Sequence, residues 1–390
     1  AIRNDDVPFG INKEGRGNLS LSGNNSYDGP TCLNAGTLTI AHNNALGSTN
    51  GPTLIADGAW IEMKGGITVD EPLSLPSDAS LRWNGGLRAT GGSNVWAGKI
   101  TSSPANSRIQ CNAGSLDIIG GIEGGQMCLG GSGGTYLRVS EKPINTPGNS
   151  FFAHTGILII LAVTNNAWTS LTISGNYVRM DMENVLPVTS TLMLGEGNMT
   201  VASGIDLNGH NQTIGQLTSY TNNTILNVFS ETPATLTVNQ TVSSTFNGNI
   251  TGLVSLVKMG SGQLTLTRAS STFGSYIVSN GTLAVSATGA LGENSTNIWV
   301  AGGTLSLSNS AAISDRATLS IANGGAAKVE LAAGVNESVG YLYFGNKQQR
   351  AGTYSATSGS GVQVTDATHF SGTGILTVLH DSAGTVIGLR

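Results

Sequence analysis

Charge is the first thing this chain is short of. Lys, Arg, Asp and Glu make up 11% of its 390 residues, under half the ~25% of an ordinary domain. Coiled coils and helical bundles need those residues in bulk, so both are excluded. The balance of 18 basic to 23 acidic residues, net −5, offers no basic surface for a phosphate backbone and argues against nucleic-acid binding. Aromatic residues are only 5%, and ten prolines are far too few for collagen. With 39% hydrophobic residues and so small a net charge, the composition is not that of a disordered chain.

Long apolar runs are missing too. The longest, Gly156 to Val163, has far fewer residues than the ~20 of a membrane-spanning helix and reads as a buried strand. Cys32, Cys111 and Cys128 form no C-x-x-C and no zinc spacing. Their odd number leaves at least one unpaired; burial as small apolar side chains is the expectation, with pairing open. The chain opens at Ala1 without Met or a signal-peptide core, which reads as a mature or excised segment.

What is abundant is glycine: 55 residues, about twice the usual ~7%. Ser, Thr and Asn accompany it. Short alternating segments recur, such as Leu19 and Leu21 against Ser20 and Ser22, and Leu38 and Ile40 against Thr37 and Thr39. This is the period of a strand with hydroxyls on its outer face. No stretch of helical length carries a clean apolar stripe.

A long-range repeat lies over this fine pattern. Lys13, Gly36, Gly47 and Gly58 recur as Lys258, Gly281, Gly292 and Gly303. The spacing is 245 residues each time (258 − 13, 281 − 36, 292 − 47, 303 − 58), so 11–65 and 256–310 read as two copies of one unit that superpose turn for turn. Strands of three to five residues without aromatic anchors fit a solenoid better than a sandwich. The predicted fold is all-β, a right-handed parallel β-helix (β-solenoid) of short strands with Gly and Asn turns. At ~20 residues per turn it has ~18 turns and a length of ~90 Å. Residues 1–10 read as an N-terminal extension or docking strand, 11–335 as the β-helix, 336–380 as a closing β module and 381–390 as a tail.

The pattern Lys-x-Gly-x-Gly-x-Leu-x-Leu from Lys13 to Leu21 and from Lys258 to Leu266, followed by Gly-Thr-Leu and Ala-Leu-Gly, resembles the autotransporter-associated β-strand repeat. That repeat belongs to large secreted passenger-type proteins of Gram-negative bacteria. Asp206 to Gly215, Pro233 to Val238 and Phe246 to Gly248 are similar to the linking coil of those proteins. Gly340 to Gly345, Gly352 to Tyr354 and Phe370 to Gly374 resemble their closing module. The resemblance covers about 11–65 and 200–380; residues 66–200 rest on pattern alone. It implies a secreted or cell-surface location and carries no catalytic residues. No membrane barrel is read in the chain, so it does not extend to transport.

Candidate chemistry is sparse. Gly130 to Gly134 matches G-x-S-x-G around Ser132, but a nucleophile elbow needs a helix next and a strand follows. Ser255 and Lys258 match S-x-x-K, yet need a helix to face one another. Arg179, Asp181 and Glu183 share one face of an alternating segment whose other face holds Val178, Met180 and Met182; two carboxyls ~5–9 Å apart suit glycoside hydrolysis, but a solvated ion-pair row is the commoner meaning. The five histidines, His42, His154, His210, His369 and His380, are scattered, and Asp366 beside His369 reads as a loop hydrogen bond. No catalytic, metal or cofactor residue is assigned.

Two classes of function follow. The first is a non-enzymatic structural or adhesive surface protein. Neither chain end looks like a cap, so it is expected to self-associate end to end into a filament or to join further repeats of a longer chain. The second is a carbohydrate-binding or polysaccharide-degrading β-helix. It rests on the analogy with other β-helix folds, which often act on polysaccharides, and on exposed Tyr or Trp such as Trp83, Trp96 and Trp168; its partner is a cell-surface polysaccharide. The run 198–257, where Asp206 and Glu231 are the only charges, fits ladders and turns and equally a flat sugar-contacting surface.

Overall fold

The computed structural model describes residues 1–4, 7–77, 86–154, 156–175, 177–197, 201–220, 223–324 and 326–381. Asp5, Asp6, Trp83 and the tail from 382 to 390 lie outside them. Two compact units divide the chain, Ala1–Asp206 and Leu207–Arg390. Among the described residues all regular structure is strand, and none forms a helix long and apolar enough to cross a membrane. The fold is a parallel β-solenoid.

In the first unit, strands Ile11–Lys13, Thr31–Leu33, Thr53–Ile55, Leu73–Ser74, Ile100–Ser102, Ile122–Gly124 and Ile144–Asn145 stack in parallel as one sheet. A second stack starts with Asn18–Leu21, Gly36–Ile40 and Ala59–Met63. The stretch that rests on pattern alone holds longer strands, Leu87–Trp96 and Ser107–Ile118. They round a corner where their mutual register shifts between Cys111 and Ala113 and again between Ala113 and Ser115. A bulge of this kind lets one strand serve two faces. At the amino end, Ile2 donates its N–H to Asn25 Oδ1 at 2.7 Å, and Arg3 bridges Ser26 in parallel.

In the second unit, strands Gln263–Leu266, Thr282–Val285, Thr304–Leu307 and Lys328–Leu331 are parallel neighbours. Their pairing aligns Leu264, Leu283, Leu305 and Val329 in one buried row, and Leu266, Val285, Leu307 and Leu331 in the next. Burying each such side chain stabilises the fold by about 1.5–3 kcal/mol. Within 336–380 the direction reverses twice: Tyr341–Phe344 pairs antiparallel with Lys347–Gln348, and Gly352–Ser355 with Ile375–Val378.

Turn length is not uniform. The shift between stacked strands is 19 residues from Asn18 to Thr37 (37 − 18) and 27 from Tyr177 to Gly204 (204 − 177). Insertions at the corners lengthen many turns beyond 20, so there are fewer than eighteen.

The two repeat copies keep common register over most of their length. Leu19 pairs with Leu38 as Leu264 does with Leu283, and Thr31 with Thr53 as Tyr276 does with Ile298. The 245-residue spacing fails at the next strand. Leu38 pairs with Ile61, 23 residues on, whereas Leu283 pairs with Leu305, 22 residues on. The first copy therefore carries one extra corner residue, and the structural counterpart of Gly303 is Ala59 rather than Gly58. A second departure is at Met182: its strand ends at Met180, and Met182 is 42% exposed instead of facing inward.

Leu266 is 2% exposed and Thr265, beside it, faces outward. Leu266→Asp places an unpaired charge in the core and is expected to cost several kcal/mol. Thr265→Asp is expected to stay within ~0.5 kcal/mol. Thermal melts of both variants check this; equal losses would mean the faces are reversed.

Candidate functional site

The catalytic-looking motifs resolve into structural roles. Ser132 lies in the turn between strands Met127–Gly130 and Tyr136–Ser140, where its hydroxyl donates to Asn112 Oδ1 at 3.3 Å. Nothing there resembles a strained strand-to-helix turn. Ser255 and Lys258 share the strand Val254–Met259 but point to opposite faces, Ser255 outward and Lys258 fully buried.

Lys258 has a different task. Its Nζ donates to the carbonyls of Met259 (2.6 Å), Gly260 (2.8 Å) and Asn280 (3.3 Å). Lys13 does the same with Glu14 (2.9 Å), Gly15 (2.6 Å) and Ala35 (3.0 Å). Each ammonium uses all three of its N–H groups on a corner and on the turn stacked above it. Burial pulls the Lys258 ammonium down to about 8, so at neutral pH it keeps the charge these carbonyls stabilise. The repeat's lysine is a clamp between turns, and the constancy of Lys-x-Gly in both copies is the sequence signal for it.

The acidic row is an ion pair. Arg179 donates Nε to Asp181 Oδ1 at 2.7 Å and Nη2 to Oδ2 at 3.2 Å, while Glu183 is exposed beyond the strand end. The histidines stay apart in separate contacts. His42 Nδ1 accepts from the Asn44 N–H, and His154 Nε2 is 3.6 Å from Glu196 Oε2. His369 Nδ1 meets Asp366 Oδ2 at 2.8 Å, with its ring stacked on Phe344 at 3.8 Å. Asp366 also takes the backbone N–H groups of Thr368 and His369, as a loop-ordering aspartate does. Among the described residues no three His, Cys, Asp or Glu side chains gather to hold a metal ion.

Cys32, Cys111 and Cys128 form no disulfide; Cys111 and Cys128 are buried and Cys32 is half-buried. Burial pushes the Cys111 thiol up to about 11, which keeps it protonated and unreactive.

The tryptophans correct the picture of an aromatic surface. Trp96 is fully buried and Trp168 is 4% exposed, packed on Phe151 with ring centroids 5.0 Å apart. Neither can stack on a ligand, and Trp83 lies outside the described residues. Among the described tryptophans the exposed one is Trp299, at 50%. Composition does not single it out, but the alternation of Ile298, Trp299 and Val300 places it outward.

Two buried acids do not take part in any such cluster. Glu71 is 3% exposed, and its Oε1 has no hydrogen-bond partner among the described residues. Burial, with the nearby charge of Asp70, pushes its carboxyl up to about 8. Glu337 is fully buried and pushed up to about 7, although it accepts the N–H of Ala312 at 2.8 Å and of Ser338 at 3.1 Å. Both protons are held by the folded state.

Residues 11–40 and 256–285 match the passenger-associated-transport-repeat family, and these are the segments built around Lys13 and Lys258. The chain is also similar to the adhesin BmaC autotransporter of Brucella suis biovar 1 (strain 1330), at 28% identity over 182 residues. That similarity covers 43% of this chain and 5% of the relative, so the chain corresponds to a small part of that protein's length. No solved structure matches the chain.

The raised acids give a signed pH dependence. An unfolded Glu71 or Glu337 loses its proton near 4.5, while the folded ones keep theirs to about 8 and about 7. Their contribution is thus fully present below pH 4.5 and is lost as pH rises through 7–8. Melts of the wild type are expected to fall between pH 5 and pH 9, and Glu71→Gln to reduce that fall. A Glu71→Gln melt with undiminished pH dependence would contradict the assignment.

Proposed function

We propose that this passenger-type autotransporter repeat chain is a non-enzymatic adhesive segment, displayed at the surface of a Gram-negative bacterium. The observation that carries the reading is its similarity to an autotransporter adhesin in a chain with two passenger repeats. The chemistry agrees with it. Each motif suited to catalysis has its own structural role: Ser132 in a turn, Lys258 in a clamp, Asp181 with Arg179 and Asp366 with His369. Many outward positions of the stacked strands are small and uncharged, as at Thr282 and Thr304 or Ala284 and Ser306. Such a surface presents many weak polar contacts in a fixed array, which suits avidity more than turnover.

Filament growth is a finer proposal within this reading. The antiparallel pairings of Tyr341–Phe344 with Lys347–Gln348 and of Gly352–Ser355 with Ile375–Val378 cover strand edges that would otherwise template a further chain. That favours display as one unit of a longer passenger over growth through this end. Light scattering over a concentration series is the check: constant mass supports display, stepwise growth supports the filament.

Adhesion is tested directly by anchoring the chain on a non-adherent bacterium and counting cells retained on epithelial monolayers and on abiotic surfaces. A several-fold gain over cells showing an unrelated β-solenoid is expected. No gain, with the chain detected at the surface by antibody, would overturn the adhesive reading.

A further inference from the structure

Three neighbouring strands of the second unit carry a feature that no clamp or core row explains. Asn297–Val300, Thr318–Ile321 and Tyr341–Phe344 are parallel and in register. Ile298, Val300, Leu319, Ile321 and Leu342 point inward and are buried. The outward residues form two rows: Asn297, Thr318 and Tyr341, then Trp299, Ser320 and Tyr343. The middle strand thus bears only small hydroxyl side chains, between a tryptophan on one side and two tyrosines on the other.

That size difference makes a trough. It holds about 500 Å³ and is lined by Thr318, Ser320, Tyr341, Tyr343, Gly345 and Asn346, with Trp299 on the flanking strand. Trp299 and the tyrosines stand on strands two spacings apart, about 9.6 Å, which leaves room for one ring-shaped group over the small residues between them. The walls are held in place. Tyr343 donates its hydroxyl to Gln348 Oε1 at 3.3 Å, and the Tyr341 ring packs against His380 with centroids 5.5 Å apart. Gly345 has φ 56 and turns the chain into the antiparallel strand Lys347–Gln348, which brings Asn346 to the lip.

Chemistry then selects the occupant. Trp299 is 50% exposed and Tyr341 38%, with the half-buried Ile277 outward on the strand beside Trp299, and exposed aromatics of this kind mark interaction sites. The lining holds no Asp, Glu, Lys or Arg, so nothing there offsets a charged ligand's loss of water. The hydroxyls of Thr318 and Ser320 and the amide of Asn346 supply donors and acceptors across the floor and lip. A ligand that offers an apolar ring face and several hydroxyls, with no charge, is a pyranose.

We propose that this trough is a binding site for a neutral glycan, with Trp299 as the stacking residue, Tyr341 and Tyr343 as the opposite wall, and Thr318, Ser320 and Asn346 as hydrogen-bonding groups. It deepens the adhesive reading by naming a ligand class, and its test reads binding in solution, so it can fail while surface adhesion stands. The full chain is titrated with maltohexaose, with the hexamer of N-acetylglucosamine and with mannohexaose, and followed by saturation-transfer NMR and tryptophan fluorescence. Polygalacturonate serves as the charged comparison. At least one neutral hexamer is expected to bind, with ring-face protons most strongly saturated, and Trp299→Ala to weaken it about tenfold. Tyr343→Ala is the second variant and is expected to weaken the same glycan, with melting temperature confirming that both variants fold. No transfer to any neutral hexamer, binding of the charged polymer alone, or binding unchanged in both folded variants would overturn the proposal.

Discussion

Everything in this fold follows from stacking one turn on the next in parallel register. Once a strand is hydrogen-bonded to its neighbour, each residue has a fixed partner one turn away, on the same face and ~4.8 Å distant. Inward residues must then form apolar columns, which Leu266, Val285, Leu307 and Leu331 do. Corners obey a stricter rule. A Cβ at Gly281 would collide with the carbonyl of Gly260, and would lie 2.6 Å from that of Gly262 and 2.9 Å from Lys258 Nζ. One at Gly303 would lie 2.5 Å from the Gly281 carbonyl. Gly281 also has φ 66, which side chains rarely adopt. The glycine-rich composition is thus a steric requirement of corners packed backbone to backbone. Lysine solves the remaining problem there, since corner carbonyls turned inward need donors and one ammonium supplies three.

This constraint also decides what was readable from sequence. Inward and outward faces were legible wherever alternation was clean, as along Leu264, Thr265 and Leu266, because the strand period is two. The repeat was legible because most of its corners are of equal length in both copies. A single extra residue before Ala59 escapes a match made on Gly58 and Gly303, since glycine is common at every corner. Trp96 and Trp168 could not be placed outside or inside by residue type alone. Trp96 is buried by the strand face it occupies and Trp168 by the connection that leads into strand Ser170–Ser174, and residues 66–200 have no repeat to fix either. Met182 shows the other limit: alternation predicts a face only while the strand lasts. The clamp role of Lys13 and Lys258 was visible only as a spacing, because its acceptors are backbone carbonyls, which carry no sequence signature.

The same stacking separates stability from function. Inward columns, corner glycines and lysine clamps hold the turns together, and none of them requires a particular outward side chain. Outward positions can therefore vary row by row, and a surface such as that of Trp299, Ser320 and Tyr343 arises by changing three side chains without altering a strand. An adhesive segment gains from this arrangement, since the spacing of its contact groups is set by the backbone.

The central claim is the register itself, and cross-turn disulfides test it most directly. Thr282 and Thr304 are paired on the outer face of adjacent strands, while Ser306 is two residues further along. Paired positions in neighbouring strands are ~4.8 Å apart, inside the range a disulfide spans, whereas the diagonal lies at ~8 Å, outside it. The account predicts that Thr282→Cys with Thr304→Cys oxidises rapidly to an intramolecular link in the folded chain, and that Thr282→Cys with Ser306→Cys does not. Equal or reversed yields, measured against the wild type with its own three thiols, would contradict the stacked register.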